Sequence, residues 1–278
     1  MSLVGIMQGR LSPRPRHRLQ AFPWNSWESE FALAKQCHLD AIEWLFEADS
    51  YQSNPIWSDG GIRNILRCVE ETGVSVRTLC ADYFMTHPFF RVSERERDQS
   101  INILQALIVR SARAGVQTIL IPVLEDAEIR SQADTAQLQE ALSQCLDAAR
   151  AADVKLGLET ELPAAEYLDL VRSFNRPLVG AYYDTGNAAA CGYDMRTDVG
   201  VLGGVLFGVH VKDRRKGGPS VPLGSGDANF AGGIPYLCRQ EYHSLFVLQN
   251  FFNEDPYGAA RMSLKFIQSL MKRGTETG

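Results

Sequence analysis

The sequence is poor in the features that would assign it quickly. Its six cysteines (Cys37, Cys68, Cys80, Cys145, Cys191, Cys238) form no Cys-x-x-Cys pair and no paired spacing. Several lie inside apolar runs, so the expectation is buried, reduced thiols in a cytoplasmic protein rather than a disulfide framework. Basic charge is not in excess. Lys and Arg number 28 against 33 Asp and Glu, a formal net charge of −5, which argues against a chain that coats nucleic acid. No uninterrupted apolar run reaches about 18 residues, so no membrane span is expected. The opening Met-Ser-Leu-Val-Gly-Ile has no charged segment leading into an apolar core, so no signal peptide is expected either. No Gly-x-Gly-x-x-Gly follows a strand and no Gly-x-x-x-x-Gly-Lys-[Ser/Thr] occurs. Dinucleotide enzymes and P-loop NTPases therefore drop out, and Gly224-Ser-Gly226 alone is too short a signal for a phosphate loop.

What remains is ordinary globular composition: 278 residues, 45% hydrophobic and 22% charged. The dominant pattern is alternation of short Val, Ile and Leu-rich runs with longer stretches of helical period. Eight strands are predicted, at 3–8, 41–46, 75–80, 118–122, 155–159, 179–184, 206–211 and 244–249. Helices are predicted between them. Asn25 with Glu28 has capping-box spacing ahead of Trp27–Cys37, Ser93 with Glu96 ahead of Asp98–Ala114, and Asp134 with Gln137 ahead of Thr135–Ala152. Asp59–Thr72 stops at Gly73, Pro163 opens Ala164–Phe174, Asp227-Ala-Asn-Phe230 leads into Gly233–Gln240, and Pro256–Lys272 closes the chain. Eight strand–helix units without a Pro, Gly or Ser-rich linker predict one domain over 1–278, a single (β/α)8 TIM barrel of the α/β class. A doubly wound open sheet is the rival, normally with fewer strands and one ligand crevice.

In such a barrel chemistry sits where the strands end. The fifth run ends in Glu159, the sixth in Asp184 followed by Thr-Gly-Asn187, the seventh in His210-Val-Lys212-Asp213, and the eighth in Gln249-Asn250. One polar residue at a strand end is more often a helix cap or a loop partner. Two carboxylates and an imidazole converging on one barrel end would be costly without a compensating cation. With an amide oxygen they form a ligand set for a hard divalent ion: manganese first, with magnesium, cobalt and zinc as alternatives.

These segments resemble the xylose-isomerase-like barrels, in particular their sugar (phosphate) isomerase/epimerase branch. The resemblance rests on Leu-Gly-Leu-Glu159-Thr, Tyr-Tyr-Asp184-Thr-Gly-Asn187, Val-His210-Val-Lys-Asp213 and Val-Pro-Leu-Gly224-Ser-Gly226-Asp-Ala-Asn-Phe230. It extends over nearly the whole chain, and L-xylulose-5-phosphate (hexulose-6-phosphate) 3-epimerases and ketohexose 3-epimerases are the branch members most alike. It implies that Glu159, Asp184 and His210 hold one divalent metal ion, with Glu159 also the catalytic base beside a sugar carbonyl and an enediolate as the intermediate. It also implies that Asn187 stands near the substrate, and that Lys212, Arg214 and Lys216 face the sugar or its phosphate. Gln249 departs from the pattern, because the family carries a second ligand and acid/base glutamate there. A glutamine coordinates through its carbonyl oxygen but takes no proton, so the two-base route loses one base. One-base isomerisation and dehydration of a β-hydroxy carbonyl stay open. So do a second base from Glu161, His87 or Asp82, and a non-catalytic sugar-binding barrel.

Further candidates are Arg10 at the end of the first run, for a carboxylate or phosphate, and Glu43-Trp44 in the second, for sugar hydroxyls and ring stacking. The aromatic-rich 82–90 segment is a candidate lid or oligomer contact, with His87 as its site residue. The 14–18 cluster Arg-Pro-Arg-His-Arg is either a solvated loop, the commoner case, or an attractor for an anionic sugar phosphate or nucleotide sugar. The expected partner is a small sugar or sugar phosphate, with no nucleic acid and no membrane; a homo-oligomer is implied by analogy with relatives alone. The DNA-repair branch of the same barrels needs more metal-binding histidines and a basic face.

Overall fold

A computed structural model of the chain describes residues 2–13, 20–174, 177–251 and 254–275; the 14–18 basic cluster lies outside them. The barrel strands are β1 (Val4–Met7), β2 (Ala41–Leu45), β3 (Ser75–Cys80), β4 (Thr118–Val123), β5 (Lys155–Thr160), β6 (Val179–Asp184), β7 (Leu206–Val211) and β8 (Leu245–Leu248). They close into one parallel barrel in the order β1-β8-β7-β6-β5-β4-β3-β2. Each strand lies within a residue or two of its expected place. Most of these strands are buried on both faces and read as near-continuous apolar runs; β3 instead alternates at its start, with Ser75 and Arg77 partly exposed.

The helices are α1 (Trp27–Gln36), α2 (Asp59–Thr72), α3 (Tyr83–Thr86), α4 (Glu94–Arg113), α5 (Gln132–Ser143), α6 (Leu146–Ala152), α7 (Ala164–Ser173), α8 (Thr185–Cys191), α9 (Met195–Leu202), α10 (Phe230–Arg239) and α11 (Pro256–Thr275). The capping box at Ser93 is present: its hydroxyl accepts from the Glu96 amide and the Glu96 carboxylate accepts from the Ser93 amide. The other two expected caps are corrected. Asn25 does not cap α1; Ser26 precedes it with no side-chain cap, and its hydroxyl pairs instead with Ser12 at 2.7 Å. Asp134 does not open α5; Ser131 does, and the buried Asp134 carboxylate is taken by Arg91 at 2.8 Å and by the Arg130 amide. The single helix expected over 135–152 is two, α5 and α6, separated at Gln144-Cys145.

The barrel interior shows why the glycines Gly157 and Gly208 flank β6. The Tyr182 ring points inward, and a Cβ at Gly208 would lie 2.2 Å from its Cε2; one at Gly157 would lie 3.0 Å from its Cδ2. Two strands give up side chains so that one large ring can fill the barrel core beneath the mouth. The 82–90 segment is corrected too. Phe84, Phe89 and Phe90 are buried, and Phe84 stacks on Phe89 at 4.7 Å between ring centroids. Its phenylalanines are packed core and do not form a lid or contact surface; the one ring of the segment that is exposed is that of His87.

Candidate metal centre at the barrel mouth

Register carries three strand ends to one height. Asp184 stands opposite His210 across β6 and β7, and Glu159, the penultimate residue of β5, lies beside them. The three side chains are buried, and their ligand atoms all lie within 4.8 Å of one another; among the described residues this is the group of carboxylates and histidine that converges. His210 Nδ1 is 3.8 Å from Asp184 Oδ2 and 3.9 Å from Glu159 Oε2. Ligand atoms on one ion stand at most about 4.2 Å apart, twice a bond of about 2.1 Å, so small side-chain rotations suffice to close the site.

Each of the three side chains is held from behind. Asp184 Oδ1 caps α8, accepting from the amides of Gly186 and Asn187 at 2.7 Å each, which leaves Oδ2 turned to the cluster. Asn187 Oδ1 accepts from Lys212 Nζ at 3.0 Å and Arg214 Nη1 at 2.9 Å. Both partners only donate, so the other end of the amide must be its NH2, and this donates to Glu159 Oε1 at 2.9 Å. Behind His210, Nε2 donates to Glu43 Oε1 at 2.5 Å, and the Tyr182 hydroxyl donates to Glu43 Oε2 at 2.5 Å. With Nε2 carrying the proton, Nδ1 of a neutral ring has its lone pair free. That atom is buried and has no hydrogen-bond partner. A carboxylate behind an imidazole is how metal-ligating histidines are oriented.

The electrostatics have the same cause. Burial, and then the Asp184 charge, push the Glu159 carboxyl up to about 8. Burial alone would lower the His210 imidazolium, but Glu43, Asp184 and Glu159 outweigh it and raise the ring to about 10. Burial likewise works against Asp184, yet Lys212 at 3.4 Å, His210 and backbone amides hold it well below the usual carboxylate range. Without an ion, protons and the Lys212 ammonium balance the cluster.

A divalent ion fits this donor set. Two buried carboxylate oxygens converge with a partnerless imidazole nitrogen, and Gln249 Oε1 is a further buried acceptor without a partner. Gln249 follows β8 at the mouth, its backbone N–H donating to the Val211 carbonyl of β7.

The other candidates fall in varied places. Glu43 lies beneath His210, fully buried with both oxygens occupied, and so braces the histidine instead of meeting sugar hydroxyls. Trp44 is likewise core: its indole NH bonds Asn54 and its ring packs on Phe22 and Trp27. Arg10 is buried, with its guanidinium on the Asn250 carbonyl and on Gln20. His87 is exposed after α3, stacked on Tyr83 and bonded to Thr86, outside the cluster. Lys212 and Arg214 meet at Asn187, whereas Lys216 is exposed near Gly192 at the end of α8. Asp213 explains the Gly-Ser-Gly segment: its buried carboxylate accepts from the amides of Gly224, Gly226 and Ala228. Sequence reasoning missed Tyr182, Gln20 and the bracing roles of Glu43 and Asp213. The one signal available was an acid set inside the buried run of β2.

A family profile described as Xylose isomerase-like TIM barrel matches residues 31–270. L-ribulose-5-phosphate 3-epimerase UlaE of Salmonella heidelberg is 26% identical over 231 residues, covering 80% of this chain and 81% of that protein. Among solved structures, an L-ribulose 3-epimerase superposes with a TM-score of 0.79 at 16% identity, covering all of this chain and 97% of the other. The apo form of the 3-keto-D-glucoside 4-epimerase YcjR of E. coli gives 0.74 at 18% identity, covering 97% and 100%.

Proposed function

Because the chain belongs to the Xylose isomerase-like TIM barrel family, we propose that it is a divalent-metal-dependent isomerase or epimerase of a sugar or sugar phosphate. The observation that carries this reading is the buried convergence of Glu159, Asp184 and His210 with Asn187 braced against Glu159. A relative named for L-ribulose 5-phosphate supports a ketose phosphate as one substrate class. The ion would be held by Glu159, Asp184, His210 and the Gln249 carbonyl, and when bound it supplies Lewis-acid stabilisation of the negative charge that develops on the sugar oxygens.

The chain's own residues supply the rest. Glu159 takes the proton from the carbon beside the carbonyl, while Asn187, bound to Oε1, keeps the carboxylate oriented. Lys212 and Arg214, half-buried and joined at Asn187, offer positive charge to the enediolate or to a phosphate. Gln249 returns no proton. Glu159 alone delivers the proton to the face from which it took it, which suits aldose–ketose interconversion; inversion at a carbon needs a second donor on the opposite face.

Gln249 also favours a second reading, a lyase that dehydrates a β-hydroxy carbonyl with one base. Proton NMR in D2O, with manganese-loaded protein and a panel of ketopentoses, ketohexoses and their phosphates, separates the readings. Solvent deuterium entering beside the carbonyl, and lost in Glu159→Gln, is the expected result. A product with new ultraviolet absorbance would favour the lyase, and binding without exchange would reduce the barrel to a sugar-binding protein.

A further inference from the structure

Gln249 presents a problem of orientation. A glutamine side chain has nearly the same shape with its oxygen and nitrogen exchanged, so its hydrogen-bond partners decide which atom faces a site. Gln249 Nε2 donates to Gln20 Oε1 at 3.2 Å and lies 3.3 Å from the Met7 sulfur. That assignment holds only if Gln20 presents its oxygen, and Gln20 is fixed from two sides. Arg10 Nη2, which only donates, meets the same Gln20 Oε1 at 3.2 Å. Asp82 Oδ2 meets Gln20 Nε2 at 2.7 Å, and a carboxylate there accepts. The Cys80 thiol donates to the other Asp82 oxygen at 3.0 Å, keeping that carboxylate turned toward Gln20.

A fixed guanidinium and a fixed carboxylate therefore leave Gln20 one orientation, and Gln20 in turn leaves Gln249 one. The consequence is visible at the far end, where Gln249 Oε1 is buried without a hydrogen-bond partner. The inward row of β8 explains its direction. Val247 is in register with His210, and Gln249 lies two residues on, on the same inward face. A buried carbonyl left without a partner is destabilising, and a cation is the partner that would relieve it.

We propose that Arg10 and Asp82, acting through Gln20, are positioning residues that hold the Gln249 carbonyl toward the metal centre, so that a neutral amide serves as a ligand where the barrel mouth already holds two carboxylates. This rests on the metal-centre reading above. The relay also bars the opposite orientation, in which the Gln249 NH2 would turn to the acidic cluster, donate to a carboxylate and have to be displaced by an ion. It further gives a role to the arginine just after β1, whose guanidinium meets both Gln20 and the Asn250 carbonyl.

The test is a double-mutant cycle read by isothermal titration of the metal-free protein with manganese chloride, with far-ultraviolet circular dichroism to confirm folding. Gln249→Met should weaken manganese binding about tenfold, and Gln20→Met should do nearly the same. The double variant should bind no more weakly than Gln249→Met alone, because Gln20 acts only through Gln249. Asp82→Ala, placed in the same cycle, carries the test if Gln20→Met does not fold. Parental affinity in Gln249→Met or Gln20→Met, or losses that add in full in the double variant, would overturn the proposal while leaving the metal centre standing. A parent protein that binds no manganese would overturn both.

Discussion

His210 Nε2 and Glu43 Oε1 stand 2.5 Å apart across the barrel, with neither side chain reaching solvent. The contact joins β7 to β2, and the Tyr182 hydroxyl from β6 closes it on the second Glu43 oxygen. Glu43→Ala should leave the ring free to turn and weaken manganese binding about 10–100-fold. Tyr182→Phe should cost less, since Glu43 keeps its charge and its histidine. Titration calorimetry of the two variants at one pH checks the order.

Ion binding should release protons. In the metal-free protein Glu159 is raised to about 8 and His210 to about 10, so at pH 7 both hold protons that an ion must displace. Raised values on the ligands mean competition that fades as pH rises, so affinity should increase from pH 6 to pH 8 by about one to two powers of ten per pH unit. Calorimetry in two buffers of different ionisation enthalpy reads the released protons directly. An affinity flat across that range would mean the ligands are already deprotonated.

Lys212 occupies the place of part of the missing positive charge. Lys212→Met leaves Asp184 without its ammonium, which should destabilise the metal-free protein by about 1–3 kcal/mol, below the cost of breaking a fully buried pair because Lys212 is partly exposed. The same change removes a competitor for Asp184 Oδ2, so manganese should bind severalfold more tightly. The melting temperature should therefore fall without manganese and fall by less with it.

The Tyr182 ring leaves no room at Gly208. Gly208→Ala should cost about 1–3 kcal/mol by overpacking, lowering the melting temperature by several degrees. Gly157→Ala should cost less, its new methyl meeting the ring at 3.0 Å instead of 2.2 Å. Because a displaced ring would also leave Glu43, Gly208→Ala should weaken manganese binding, and Gly157→Ala should not.

Much of this was legible in one dimension. Eight short runs rich in apolar residues predict eight strands because a strand buried on both faces favours apolar residues at most positions. Polar residues closing those runs mark the mouth, which is why Glu159, Asp184 and His210 stand out singly in the sequence and together in the structure. Where the sequence misled, the competing partner was distant. Asp134 has the spacing of a cap but is claimed by Arg91, 43 residues away. The α8 helix, Thr-Gly-Asn-Ala-Ala-Ala-Cys, is seven residues long and shows no period; the Asp184 cap at its start holds it.

The residues that orient the clustered side chains were beyond any local reading. Glu43 meets Tyr182 and His210 at separations of 139 and 167 residues, and Gln20 meets Gln249 at 229. Sequence alone determined the barrel and the types of atom at its mouth, because strand periodicity and strand termini are local properties of the chain. Tertiary structure alone decided which way each of those atoms faces. The direction of an imidazole or an amide depends on whether its partner donates or accepts, and barrel closure chooses that partner.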